Sequence, residues 1–272
     1  MSAKIAVCQM RSCMNVQFNM QTVQRQVEEA AKGGAVMAFF PENFNYMGPL
    51  GTALEHAQPL DGSYMAFYKQ LAQNNSIWLS LGGFQQVCSE DSSKYYNTHV
   101  VIDSSGNLVE TYSKLHLFDV EVSPKHTIRE SASVMPGQKI SPPVETPCGK
   151  LGLSVCYDVR FPEIYRRMAE LGAEILTVPA AFLERTGYAH WEVLLRARAI
   201  ENACFVVASA QEGKHDSGRV SYGHSIVVDP WGVVVAQASQ GPRVLLVDID
   251  LQLVQETRGR IPVLNHLRKD VY

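Results

Sequence analysis

Short apolar runs alternate along the whole chain with stretches whose apolar residues recur every three or four positions. The runs at 5–9, 36–40, 77–82, 151–155, 175–178, 205–210 and 244–249 predict buried strands. The helical period predicts helices over 19–31, 63–73, 162–171 and 188–202. Val23, Val27, Ala30 and Ala31 share one face of the first, and Gly33-Gly34 stops it. Pro162 opens the third, and Gly172 ends it. Two hairpins are predicted, 99–102 with 108–112 around Asp103-Ser104-Ser105-Gly106-Asn107, and 224–228 with 233–237 around Asp229-Pro230-Trp231-Gly232. The stretch 115–144 holds four prolines and little periodicity, so it reads mostly as loop. Two blocks of strand, helix, strand and hairpin thus predict two sheets covered by helices, with 244–249 closing the sheet. No linker or composition shift divides the chain, which reads as one domain over 1–272.

Composition narrows the function classes. At 272 residues, 46% hydrophobic, the chain can bury a large core. Its net charge is -3 and its basic residues are dispersed, which argues against a nucleic-acid surface. No apolar run reaches membrane-span length, and the N-terminus enters a strand pattern without a secretory apolar region, so a cytoplasmic protein is expected. The six cysteines form no C-x-x-C pair and read as free thiols in a reducing compartment. His116, Asp119 and Glu121 lie close in sequence, but their spacing fits no tabulated metal site and reads as a polar loop. No phosphate-binding glycine loop is present.

Three strand ends carry the candidate chemistry. The run 36–40 ends at Glu42, 109–112 at Lys114, and 151–155 at Cys156. Each residue alone has a plain reading: a loop carboxylate, a solvated strand-end lysine, a small buried hydrophobe. If the strands are neighbours, a carboxylate, an ammonium and a thiol share one cleft. That set suits acyl transfer. Glu42 would take the thiol proton, and Lys114 with the Tyr157 N–H would hold the oxyanion. Burial and Lys114 act oppositely on the Glu42 pKa, so its direction stays open.

Phe40-Pro41-Glu42-Asn43, Tyr112-Ser113-Lys114-Leu115-His116-Leu117 and Cys156-Tyr157-Asp158-Val159-Arg160-Phe161-Pro162-Glu163 together resemble the Glu-Lys-Cys signature of the nitrilase superfamily. Tyr96-Asn97, Met135-Pro136-Gly137, the stretch from Ala189 to Asn202, and Val228-Asp229-Pro230-Trp231-Gly232 resemble further family blocks, so the likeness spans nearly the whole chain. It implies an αββα sandwich that assembles through helices into a homodimer or higher homo-oligomer, with no metal and no organic cofactor. It also implies Glu42 as general base, Lys114 at the oxyanion, Cys156 as nucleophile, and Glu130 as a second glutamate that orients Lys114 or assists the hydrolytic water.

Ser80-Leu81-Gly82-Gly83-Phe84, Leu117-Phe118-Asp119-Val120-Glu121, Ala189-His190-Trp191-Glu192, Ser221-Tyr222-Gly223-His224-Ser225 and Ile261-Pro262-Val263-Leu264-Asn265-His266 resemble the Nit branch of that superfamily. This implies a small amide substrate bearing an α-keto acid, with deaminated glutathione as the first choice and 2-oxoglutaramate, the ω-amidase substrate, as the alternative. A catalytically silent scaffold with the same fold is the reading of another class. The α-keto acid carboxylate needs a cation. Arg160, four residues after Cys156, offers a bidentate partner, unless it forms an interior ion pair with Asp158 or Glu163. Tyr46, Phe182 and Thr186 are candidate pocket residues, with core packing the other reading of Tyr46 and Phe182.

Overall fold

Successive residues of a strand face opposite sides, and Ser2–Gln9 divides its apolar side chains accordingly. Ile5 and Val7 enter one buried cluster, and Ala6 and Cys8 enter another. Met37–Phe40 repeats the division, with Met37 and Phe39 on one side and Ala38 and Phe40 on the other. A sheet apolar on both faces must be covered on both. The computed structural model describes residues 2–49, 51–123 and 126–271. Among them, helices α1 (Val16–Lys32) and α2 (Ser63–Asn75) cover one face through Met20, Val23, Val27, Met65, Tyr68 and Leu71. A second sheet covers the other. On that sheet pack α3 (Pro162–Glu170) and α4 (Glu184–Asn202), through Ile164, Tyr165, Met168, Trp191 and Leu195. The layers run helix, sheet, sheet, helix, the αββα sandwich that the resemblance implies.

The first sheet is ordered Arg243–Asp250, Ser2–Gln9, Met37–Phe40, Trp78–Val87, Tyr95–Ile102, Leu108–Ser113, with Val134–Met135 pairing beside Tyr95–Ile102. The second is ordered Val234–Gln237, Ile226–Val228, Phe205–Ala208, Ile175–Thr177, Gly149–Gly152, Val144–Thr146. In each, three parallel strands joined through two helices lead into antiparallel strands. The run 244–249 departs from expectation. It pairs antiparallel with Ser2–Gln9, Ser2 opposite Asp250, and so extends the first sheet instead of closing the second.

Other differences have local causes. Asn15 accepts a hydrogen bond from the Phe18 N–H and starts α1 at Val16, three residues before the predicted start at 19. The stretch 115–144 is not mostly loop: Asp119–Ser123 pairs with Asp119 opposite Arg129 on His126–Arg129, followed by a single turn, Glu130–Ala132. Its period of two, Asp119-Val120-Glu121-Val122, spans only four residues, too short to stand out in a stretch that holds four prolines. The strand before the thiol ends at Gly152, and residues 153–155 continue extended to Cys156. A fifth helix, α5 (Gln252–Arg260), escapes the pattern because it buries only Val254 and Thr257. Among the described residues, no helix is long and apolar enough to cross a membrane.

Candidate active site

Met37–Phe40 and Leu108–Ser113 are not neighbours, because Trp78–Val87 and Tyr95–Ile102 lie between them. Two antiparallel steps separate Trp78–Val87 from Leu108–Ser113, so both candidate strands run the same way and end at the same edge. Glu42 and Lys114 follow those ends. Cys156 arrives from the second sheet. The cleft is therefore assembled across the sandwich, not along one sheet edge.

Gly82 and Gly83 permit that approach. A Cβ on Gly82 would lie 1.9 Å from the Pro179 ring, and one on Gly83 would lie 2.8 Å from Asn97 Oδ1 and 3.0 Å from Glu42 Cα. Gly83 also has φ +98°, in the region that favours glycine. Cys156 itself has φ 47°, a left-handed conformation uncommon outside glycine and typical of strained functional turns. Its N–H donates to Pro179 O at 2.8 Å. The Tyr157 N–H has no acceptor among the described residues.

Glu42 and Lys114 are almost fully buried, their side chains 4% and 2% exposed. Lys114 Nζ lies 2.9 Å from Glu42 Oε1 and 2.9 Å from Glu130 Oε1. Glu42 Oε1 also accepts from Asn97 Nδ2 at 2.9 Å, and Oε2 from the Ala181 N–H at 3.0 Å. The Cys156 thiol faces the same carboxylate closely enough for the two to interact electrostatically. Glu130 Oε2 accepts from the Phe118 N–H at 2.6 Å, which ties the second glutamate to the segment after Lys114.

The electrostatics settle the question left open by the sequence. Burial pushes the Glu42 pKa up, but the Lys114 charge and hydrogen bond, together with the Arg219 charge, hold it below the usual carboxylate range. Burial likewise works against the Lys114 charge, yet Glu130 and Glu42 hold its pKa well above the ordinary lysine value. The Cys156 thiol is pushed up by burial and by Glu42, which outweigh Lys114. The resting site therefore holds a carboxylate, an ammonium and a neutral thiol.

These groups open into a cavity of about 530 Å³. Tyr46, Glu130, Tyr157, Arg160 and Phe182 line it with Glu42, Lys114 and Cys156. The Arg160 guanidinium carbon lies 5.1 Å over the Phe182 ring and its Nη1 lies 3.2 Å from His190 Nδ1. Arg160 forms no ion pair with Asp158 or Glu163 among the described residues. Asp158 instead accepts from the Val155 N–H at 2.9 Å, Tyr112 Oη at 2.8 Å, and His116 N and Nδ1 at 3.1 and 2.7 Å. His116 is thereby committed, and Asp119 receives the Ser131 N–H and hydroxyl, so the two do not gather with Glu121 as a metal site. Thr186 falls outside the cavity wall: it sits in the first turn of α4 and its hydroxyl donates to Leu183 O at 3.2 Å. Sequence reasoning passed over Asn97 as a ligand of Glu42. It also missed Arg219, two residues before the Ser221–Ser225 block.

Asp158 binds both sides of the cleft at once. Val155 precedes Cys156, while Tyr112 and His116 flank Lys114. Asp158→Asn replaces one acceptor oxygen with a donor and is expected to cost about 3 kcal/mol, since a buried hydrogen-bonded charge loses its partners. Thermal melting and kcat should fall together. Unchanged melting would show that these contacts contribute nothing to the framework.

The carbon-nitrogen hydrolase family model matches residues 4–259. The rat protein named deaminated glutathione amidase is 51% identical, over 98% of this chain and 83% of that one. The crystal structure of the C. elegans NitFhit protein superposes with a TM-score of 0.94 at 45% identity, covering 100% of this chain and 66% of that one. Saccharomyces cerevisiae Nit3, a member of branch 10 of the nitrilase superfamily, gives a TM-score of 0.87 at 29% identity, covering 96% of this chain and 95% of that one. The ordered motifs, the αββα layers and these matches agree that the chain belongs to the carbon-nitrogen hydrolase family, in the Nit branch of the nitrilase superfamily.

Proposed function

We propose that this chain hydrolyses deaminated glutathione to 2-oxoglutarate and cysteinylglycine through a thioester on Cys156. The observation that carries the reading is the buried Glu42–Lys114 pair set against the Cys156 thiol in a cavity that also holds Arg160, a guanidinium with no carboxylate partner among the described residues. The substrate choice draws support from the 51% identical rat amidase.

Glu42 accepts the thiol proton as Sγ attacks the amide carbonyl. The carboxylate is held below the ordinary range and the thiol above it, so the thiolate is not a resting species. Proton transfer therefore accompanies C–S bond formation, when Lys114 and the Tyr157 N–H receive the oxyanion charge. Glu42 then returns its proton to the leaving nitrogen, the C–N bond breaks, and cysteinylglycine departs. In the second half Glu42 takes a proton from water, hydroxide adds to the thioester, and the C–S bond breaks to release 2-oxoglutarate while Glu42 passes its proton to Sγ, which restores the thiol and the carboxylate. Glu130 holds Lys114 through both of its carboxylate oxygens, at 2.9 and 3.0 Å. Arg160 binds the α-keto acid carboxylate between the rings of Phe182 and Tyr157.

We further propose cytoplasmic residence, supported by six free cysteines, and a single hydrolase domain. A homo-oligomer is part of the same reading. Val193 and Ile200 on one face of α4, with Trp231 beside it, leave a solvent-exposed apolar surface for a second copy.

The test measures 2-oxoglutarate formation from deaminated glutathione and from 2-oxoglutaramate with purified protein. The expected result is a kcat/KM for deaminated glutathione at least about tenfold the higher, as one extra charge-assisted contact provides. The reverse order assigns the chain to ω-amidase activity, and turnover of neither leaves the scaffold reading.

A further inference from the structure

Two arginines line the cavity, and their surroundings differ. Arg160 lies near Tyr157 and Phe182, toward the surface at His190. Arg219 lies on the Glu42 side: its Nη2 donates to Ala181 O, the Ala181 N–H donates to Glu42 Oε2, and its charge acts on the Glu42 carboxylate. Its Nε is buried and without a partner among the described residues. An unpaired buried donor on a guanidinium is costly, so it marks a site completed by something else.

The turn that presents Arg219 is firmly built. Arg219 sits between the paired strands Glu212–Lys214 and Val220–Tyr222. His215 is buried and bonds Ser12 O at 2.8 Å and Ser221 Oγ at 2.9 Å through its two ring nitrogens. The His215 N–H donates to Arg219 O and the Gly218 N–H to His215 O, both at 2.9 Å. Asp216 Oδ2 accepts from the Met14 N–H at 3.0 Å. Ser217, Gly218, Arg219 and Val220 all face the cavity.

We propose that Arg219 binds a carboxylate carried by the departing amine, and that the chain thereby selects amides of amino-acid or peptide amines over primary amides. The inference rests on the hydrolytic reading above. Glu42 delivers its proton to the leaving nitrogen, so the cavity beyond Glu42 is where the amine half lies. That is where Arg219 stands, while Arg160 serves the acyl half. Deaminated glutathione carries a carboxylate on each half, one for each arginine. 2-Oxoglutaramate carries none on its departing ammonia.

Arg219→Gln, with Arg219→Lys beside it, is tested on deaminated glutathione, on its glycine carboxamide and on 2-oxoglutaramate. Losing the Arg219 charge relaxes the Glu42 pKa and so lowers kcat on every substrate; the ratio between substrates isolates the carboxylate. R219Q is expected to lower kcat/KM for deaminated glutathione ~10–100-fold more than for 2-oxoglutaramate, mainly through KM. The carboxamide should show that deficit already with the wild-type protein and lose little more in R219Q. R219K should recover part of the selectivity. Equal losses on all three substrates overturn the proposal and leave Arg219 as support for Glu42 alone. A wild-type protein that treats the acid and its carboxamide alike overturns it as well. Absence of turnover of deaminated glutathione, with 2-oxoglutaramate consumed, instead overturns the substrate reading and takes this proposal with it.

Discussion

Cys156→Ala is expected to lower hydrolysis by ~10⁴-fold or more, the scale on which removal of a covalent nucleophile acts. Its fold should survive. Alanine has the same Cβ as cysteine, so it meets the same strain at φ 47°, and the backbone bond from residue 156 to Pro179 O does not involve the side chain. Glu42 keeps Lys114, Asn97 and the Ala181 N–H as donors. The stability change should stay within about 1 kcal/mol. Release of 2-oxoglutarate reads the first expectation and thermal melting the second. Mass spectrometry of quenched wild-type reactions should show an acyl adduct that the variant lacks. A variant that keeps an appreciable share of the activity would remove the thioester route.

Lys114→Met should damage both catalysis and the fold. It removes the cation that pairs with two glutamates, from a position where its own side chain is 2% exposed. Breaking a buried pair from one side leaves an uncompensated charge and costs about 3–5 kcal/mol. Activity should fall at least ~10²-fold, the loss typical of one oxyanion donor. The pH dependence identifies the cause. In the wild-type protein Glu42 titrates below its unfolded value, so its contribution is present above that value and is lost as pH falls through the folded pKa. Without Lys114, burial dominates and raises the Glu42 pKa above the unfolded value. The ionised carboxylate then destabilises the variant at neutral pH and is relieved by protonation. Melting curves of the two proteins should therefore converge as pH drops from 7 toward 4. A gap that is constant or widens toward acid would assign the loss to packing of the lysine stem.

The layers of the sandwich were legible because a sheet covered on both faces writes continuous apolar strands, as in 36–40, between helices of clear period. The three central residues were legible for a similar reason, each lying just past the end of such a run. What the pattern concealed was direction. Only the two antiparallel returns through Trp78–Val87 and Tyr95–Ile102 bring the ends of nonadjacent strands to one edge. The hairpin inside 115–144 was hidden because its alternation, Asp119-Val120-Glu121-Val122, is short and lies in a stretch with four prolines. Asn97 and Arg219 were hidden because a buried amide and a turn arginine carry no periodic signal; their roles depend on who faces them across the cleft. Thr186 errs the other way. Near the cavity in sequence, it turns its hydroxyl back onto its own helix start.

The division of the reactive groups between two sheets has a consequence for the growing chain. Base and cation are made first, with the first sheet, and the thiol follows only with the second. Until the sandwich shuts, Cys156 has neither a proton acceptor nor a charge to receive the oxyanion, so an unfinished chain carries no working nucleophile. The last sheet strand, Arg243–Asp250, returns to lie along the first, Ser2–Gln9. Reactivity is thus withheld until Arg243–Asp250 has been made and paired, and the chemistry serves as a signature that both sheets have folded.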